Sequence, residues 1–177
     1  MAPDAHVTKF GLIRSYVTRH GPGPLPTETH AFVSKISEHN HTNPWQGEVR
    51  YGWFDAALTR YALDVNGGLD TLVVTHMDAL SNFDAWMYCQ EYRNFRGTKV
   101  NPAGDGFTRV PRLSSLTLEQ RAEFTQALLA VTPVFKTCDA NEAAVIARIE
   151  SLLGQQVGMI SRGPRAEDVT LLTALPF

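Results

Sequence analysis

Sulfur and excess charge are both scarce in this chain. Only two of its 177 residues are cysteine, Cys89 and Cys138, too few for a disulfide framework and not spaced as metal ligands. They are expected to be reduced thiols in a cytoplasmic protein. Acidic and basic residues nearly balance, 18 against 16, so no basic face is available to hold nucleic acid or an anionic membrane. No apolar run approaches the ~18 residues that span a bilayer, and nothing reads as a secretory leader. Internal repeats, low-complexity tracts and a dividing linker are missing as well. So is a G-x-x-x-x-G-K-[ST] phosphate loop. The Gly-x-Gly pairs at Gly21/Gly23 and Gly104/Gly106 run into proline and into Phe-Thr-Arg, and neither opens an apolar helix.

What remains is the composition of a globular protein, 44% hydrophobic and 19% charged, long enough to bury a core as one domain over residues 1–177. Val7 to Tyr16 mixes helical and strand character. Phe32, Val33 and Ile36 predict a short helix between Glu28 and Ser37, and the polar stretch His39 to Val49 predicts a loop. Phe54 to Val65 predicts a helix with Ala57, Leu58, Tyr61, Ala62 and Val65 on one face, ended by Asn66-Gly67-Gly68. Thr71 to Thr75 is a continuous β-branched apolar run, the pattern of a buried parallel strand, and Trp86 to Tyr92 predicts another. Thr117 with Gln120 forms a capping box for a helix running toward Pro133. Asn141 to Leu153 carries Ala144, Val145, Ile149, Leu152 and Leu153 on one stripe before Gly154. Val157 to Ile160 and Val169 to Leu172 predict strands. Alternating strands and helices give the α/β class, with a three-layer sheet of mainly parallel strands and flanking helices.

Four blocks carry chemistry. Thr18-Arg19-His20-Gly21-Pro22-Gly23-Pro24-Leu25-Pro26-Thr27-Glu28 alternates glycine and proline, a rigid loop rather than a helix or strand. It resembles the Thr-Arg-Val-Gly-x-Gly-Pro-Phe-Pro-Thr-Glu signature of adenylosuccinate synthetases, with His20 for valine. Gly52-Trp53-Phe54-Asp55 and the run to Val65-Asn66-Gly67 resemble that family's Gly-Trp-Leu-Asp segment and following helix. Leu72-Val73-Val74-Thr75-His76-Met77-Asp78-Ala79-Leu80 is similar to its Leu-Thr-Lys-Leu-Asp-Val-Leu. Ile160-Ser161-Arg162-Gly163-Pro164-Arg165 through Pro176-Phe177 is similar to its Ile-Ser-Thr-Gly-Pro-x-Arg ending in Pro-Phe. The blocks keep the family's order, so the resemblance spans nearly this whole chain but only the carboxyl-terminal part of the family's, within its P-loop NTPase-like fold.

The resemblance implies GTP-dependent joining of IMP and aspartate, in AMP biosynthesis, if an amino-terminal half supplies the phosphate loop, the catalytic base and the Mg²⁺ site. Met1-Ala2-Pro3 reads as a natural start, which favours a split gene or a short homologue. A separate amino-terminal synthetase half and a homodimer are therefore the partners in view besides a purine nucleotide. A guanine-nucleotide-binding or interaction module without catalysis is the alternative reading. No residue here is assigned as catalytic or as a metal ligand.

Asp78, just past a buried strand, stands where open α/β sheets bind ligands. Its two acceptor oxygens match the N1–H and N2–H₂ donors of guanine; equally, Asp78 could cap the turn starting at Ala79. By resemblance it binds the base with His76, which replaces a lysine, and with Ser161 and Gly163. Gly163 allows close backbone approach, and Gly163-Pro164 is also an ordinary turn dipeptide. The resemblance puts Thr18, Arg19, His20, Gly47 and Arg50 at the substrate cleft. Of the basic loop that holds aspartate in the family only Arg50 survives, and Glu48 opposes an anionic substrate. His20 has acid–base capacity but can equally be a hydrogen-bonded structural group. His30, His39 and His41 read as a solvated polar loop, and so does the Arg93, Arg96, Lys99 cluster. Trp45, Trp53, Trp86, Tyr88, Tyr92 and Phe95 read as core aromatics.

Overall fold

The computed structural model describes residues 7–36, 40–96, 106–110, 114 and 116–174. The Met1-Ala2-Pro3 start, Ser37, His39, Gly97, Lys99, Gly104 and Pro176-Phe177 lie outside the described residues. In chain order the strands and helices are β1 (Phe10–Arg14), β2 (Val17–His20), β3 (Val49–Gly52), β4 (Phe54–Asp55), α1 (Ala56–Asn66), β5 (Thr71–Thr75) and β6 (Ala85–Arg93). They continue as β7 (Gly106–Phe107), α2 (Leu118–Leu129), β8 (Thr132–Asp139), α3 (Glu142–Leu153), β9 (Val157–Ser161) and β10 (Val169–Leu171). The α/β class is borne out.

The β-branched run of β5 sits at the centre, its apolar Leu72-Val73-Val74 flanked by Thr71 and Thr75, whose hydroxyls donate to the Gln156 and Ile13 carbonyls. Leu72 and Val74 are fully buried, and β5 pairs in parallel with β1 on one side and β9 on the other. β10 closes this sheet antiparallel to β9. A second sheet pairs β2 with β3 antiparallel, and a third gathers β4, β7 and β8 around β6. In the third sheet only β4 runs parallel to β6, so the architecture is a set of mixed sheets with flanking helices. The apolar stripe of α3 (Val145, Ile149 and Leu153) packs on Leu72, Val74, Val157 and Ile160 to form the main core. Among the described residues no helix is long and apolar enough to cross a membrane.

Six local expectations differ. Thr18 to His20, expected within a rigid loop, belong to the strand β2, which pairs with β3, and Trp45, expected in the core, is 95% exposed. The helix expected from Phe54 starts at Ala56, with Asp55 as its N-cap accepting from the Leu58 N–H at 3.0 Å. Its expected face is turned: Leu58 and Val65 are 43% and 53% exposed, whereas Ala56 and Ala57 are buried. Arg60 occupies the inward side, because its guanidinium donates to the carbonyls of Leu152, Gln90 and Thr108 at 2.9, 3.1 and 2.7 Å. The helix expected after Glu28 shortens to a single 3₁₀ turn, His30–Phe32. Phe32 is drawn in there, packing between Tyr16, Trp53 and Phe83, with Ile36 partly buried against the same cluster and Val33 exposed. Finally, α2 stops at Leu129, and the chain through Pro133 becomes β8, a strand the sequence pattern did not suggest. The capping box of Thr117 and Gln120 is present with both bonds, and Val7 to Tyr16 resolves as the strand β1.

Candidate functional site

Three parallel strands, β1, β5 and β9, end on the same side of their sheet, and their carboxyl ends open into a cleft of about 810 Å³. That volume lies in the range of small-molecule sites, ~300–1,000 Å³. Six of the residues singled out from the sequence line it: Thr18, Arg19, His76, Asp78, Ser161 and Gly163. His20, Gly47 and Arg50 stand outside its wall.

The floor is built on Ser15, a buried serine at the end of β1. Its N–H donates to the Thr75 carbonyl at 3.0 Å, and its hydroxyl donates to the His76 carbonyl at 2.6 Å. The Ser15 carbonyl in turn accepts from the indole N–H of Trp86 at 2.7 Å. This network holds His76 in the left-handed region, φ 58° and ψ 39°, a conformation few side chains adopt. The His76 ring meets the edge of Tyr16 at 5.5 Å, with Nδ1 3.1 Å from the Thr75 hydroxyl. The kink turns the chain into a 3₁₀ helix, Met77–Asn82, whose N-cap position is His76. Asp78 is thus not the cap of that turn. It is exposed in the cleft, and among the described residues its carboxylate has no partner.

The lip opposite follows β9. The Ser161 hydroxyl donates to the Gly163 carbonyl at 2.8 Å. A Cβ on Gly163 would overlap the Asp168 carboxylate, whose Cγ lies 2.9 Å away. The need for glycine there is thus already accounted for by an internal contact. Asp168 accepts from the Arg165 N–H at 2.9 Å, and its own carbonyl accepts from the Arg162 N–H at 3.0 Å. Arg162 grips Glu142 at the start of α3 with two bonds, 2.5 and 2.6 Å. The lip is therefore tied to the core from behind.

Beside the cleft the Gly-Pro loop is braced from within. Arg50 makes a two-pronged pair with Glu28 (2.8 and 2.5 Å) and donates to the carbonyls of Gly21 and Gly23 at 3.0 and 2.9 Å. The hydrogen bond from Arg50 holds the Glu28 carboxyl below its ordinary range, and Glu28 raises the Arg50 guanidinium. Arg19 folds back to donate twice to the Pro22 carbonyl, at 3.1 and 2.9 Å. Gly21 and Gly47 adopt φ of +68° and +72° where the two loops touch. The His20 Nδ1 is buried and has no partner among the described residues.

Behind the cleft, Asp55 is fully buried. Burial pushes its carboxyl up to about 6, against the hydrogen bond from the Tyr92 hydroxyl, the N–H groups of Leu58 and Ala57 and the charge of Arg60. The neighbouring Cys89 thiol is pushed up to about 12, by burial and by the charge of Asp55.

With this geometry in view the comparisons are decisive. The sequence profile described as adenylosuccinate synthetase matches residues 1–170. The chain belongs to the adenylosuccinate synthetase family. It is 30% identical over 172 residues to the adenylosuccinate synthetase of Pseudomonas entomophila (strain L48), covering 95% of this chain and 39% of that protein. It is 29% identical over 171 residues to that of Azotobacter vinelandii (strain DJ / ATCC BAA-1303), with the same coverage, 95% and 39%. The fold also matches the fully ligated adenylosuccinate synthetase from Plasmodium falciparum, with a TM-score of 0.70 and 18% identity, over 93% of this chain and 39% of that one. The chain thus spans about two fifths of the length of these relatives.

An exposed carboxylate and a hydroxyl-bearing lip line the same cleft, groups that can hydrogen-bond a polar ligand edge. Mg²⁺ is a different matter: among the described residues no group of three or more His, Cys, Asp or Glu gathers as a ligand set, so no step through that ion is derived. The sequence did not single out Arg14 or Ser15, although both stand at the cleft end of β1. The signal that points to them is the parallel pairing of β1 with β5, which sets Arg14 beside Thr75.

Proposed function

We propose that the cleft takes the guanine base of a purine nucleotide, and that the chain is the base-reading part of an adenylosuccinate synthetase-type ligase. One observation carries this reading: Asp78 and the Ser161–Gly163 lip stand at the ends of adjacent parallel strands, on one cleft. The Asp78 carboxylate accepts from the two donors of the base, a charge-assisted pair that an adenine edge cannot reproduce. Ser161 and the Gly163 backbone close on the same ring, and His76 flanks it. GTP, when bound, supplies the phosphoryl group that drives the joining of IMP and aspartate in AMP formation. The part of this chain is to hold and orient the base, in the cytoplasm. The phosphate cradle, the general base and the Mg²⁺ ligands belong to an amino-terminal synthetase half, whether joined to this chain or separate, and the assembly is a candidate homodimer.

A second reading, a guanine-nucleotide-binding or interaction module without catalysis, is favoured by Arg50. In the resembled family that arginine belongs to the loop that holds aspartate. Here its donors are taken by Glu28, Gly21 and Gly23. The two readings share the base pocket and differ in turnover.

Calorimetric titration of the 177-residue chain with GTP, GDP, IMP and ATP tests the pocket. Micromolar binding of guanine nucleotides, no binding of ATP, and loss of the preference in Asp78→Asn are expected. Equal affinity for ATP and GTP would sink the reading. Phosphoryl transfer needs cradle, metal and base acting together, so the chain alone is expected to give no adenylosuccinate from GTP, IMP, aspartate and Mg²⁺. Turnover restored by an added amino-terminal half would separate the ligase reading from the module.

A further inference from the structure

The sheet that carries the cleft has two unequal edges. Its strand order is β1-β5-β9-β10. At one end β10 is three residues long, the short form in which edge strands are commonly protected. At the other end β1 runs for five residues and, among the described strands, pairs with β5 alone. Lys9 and Ser15 turn their backbone groups toward β5. The Lys9 carbonyl accepts from the Thr71 N–H at 3.5 Å, and the Ser15 N–H donates to the Thr75 carbonyl at 3.0 Å. Backbone groups alternate in direction along a strand with period two, so Gly11 and Ile13 share that direction. Phe10 and Leu12 present their N–H and C=O groups away from β5.

Apolar side chains stand on both faces beside that edge. Leu12, at the middle of β1, is 70% exposed. Side chains alternate across a strand, so Ile13 turns to the other face, where it packs against the main core. Leu58, exposed near the start of α1, and Phe54 line the cleft together with Leu12 and Ile13. From Phe10 to Ile13 the strand has no charged residue and no proline, the devices that deter a further strand from pairing. An extended segment laid along β1 gains the main-chain bonds of Phe10 and Leu12 and covers the exposed leucine. If it runs parallel to β1 it ends where β1 ends, and the loop that follows it opens on the cleft. A phosphate loop follows a strand, so such a strand sets one beside a base held at Asp78.

We propose that the β1 edge is the docking site of the amino-terminal synthetase half, which adds a strand parallel to β1. This deepens the ligase reading and rests on it, since that reading assigns such a half to the assembly. Length argues for this occupant. The chain covers 39% of the Pseudomonas entomophila protein and 39% of the Plasmodium falciparum chain, so about three fifths of each relative lies outside the matched part. A second copy of this chain meeting β1 about a two-fold axis runs antiparallel and brings no phosphate loop, because the sequence has none. Main-chain bonds supply the affinity of strand addition, and the alternate side chains supply its register.

The experiment co-expresses the tagged 177-residue chain with the part of the Pseudomonas entomophila synthetase outside its match to this chain. Complex formation is read by affinity capture and light scattering, and a one-to-one complex is expected. Leu12→Lys puts a charge on the edge, and Leu12→Pro removes an outward N–H without touching a bond to β5. Each is expected to weaken the complex at least about tenfold, with a thermal melt showing that the variant is folded. Leu171→Lys, on β10, is expected to leave the complex unchanged. Amide exchange at Phe10 and Leu12 is expected to be fast in the chain alone and slow in the complex. A complex that survives both Leu12 variants overturns the proposal, as does a wild-type chain that captures nothing. A chain that instead forms dimers with itself, dispersed by Leu12→Lys, makes the edge a self-interface and overturns the assigned occupant. Titration of the wild-type chain with GDP separates this from the base pocket. Nucleotide binding without capture removes the docking edge and leaves the pocket, and capture without nucleotide binding keeps the edge and removes the pocket.

Discussion

Asp55 offers a quantitative test of the fold. Its carboxyl is fully buried at the start of α1 and raised by that burial from an ordinary 3.8 to about 6. Such a rise corresponds to about 3 kcal/mol of differential interaction. Because the folded chain keeps this proton longer than the unfolded chain does, the contribution of Asp55 is fully present below about pH 4. It is then lost as the pH climbs through about 6. Asp55→Asn keeps an oxygen to accept the Leu58 N–H and carries no charge, so its stability is free of this slope. Urea denaturation, followed by tryptophan fluorescence from pH 4 to 7.5, gives both curves. The difference between variant and wild type is expected to shift by about 3 kcal/mol in favour of Asp55→Asn across that window. Tyr92→Phe removes a hydrogen bond that favours the ionised carboxylate and is expected to move the midpoint of the loss to higher pH. A constant difference between wild type and Asp55→Asn from pH 4 to 7.5 would refute the assignment.

Glu28 is expected to behave in the opposite sense. Its carboxyl is held low by Arg50, so its contribution is present above the ordinary carboxylate range and lost as the pH falls. Glu28→Gln should remove that acid-side loss and speed proteolytic cutting near Gly21–Gly23, which a timed digest followed by mass spectrometry reads. Gly163→Ala forces a Cβ onto the Asp168 carboxylate. It is expected to cost about 1–3 kcal/mol in a thermal melt and to weaken GDP binding, whereas Gly154→Ala, with open space around it, should leave binding unchanged.

Local patterns were read well where one segment contains its own signal. The β-branched run of β5, the stripe of α3 and the Thr117 capping box each needed only adjacent residues, and each stands as expected. The two blocks that reach the cleft, Thr75 to Asp78 and Ser161 to Gly163, were likewise visible because each is contiguous. What escaped depends on distant partners. The inward face of α1 is set by three carbonyls from elsewhere in the chain that Arg60 binds, and no periodicity announces them. β8 was hidden by Pro133, an unfavourable residue in a strand, which here takes the second position opposite Tyr92. Arg50 reads as a substrate ligand until Glu28, 22 residues away, is seen to hold it. Ser15 is a plain serine in sequence, and its bond to His76 spans 61 positions.

That serine has a thermodynamic consequence. It ties the ends of β1 and β5 to the indole of Trp86, a side chain sunk in the main core. The ground under Asp78 is thus preorganised, and a ligand settling there has little backbone to order. Binding entropy at this cleft should therefore report water release and the freezing of the ligand itself, not a refolding of the protein. Differences in affinity between ligands can then be read group by group as contacts made or missed.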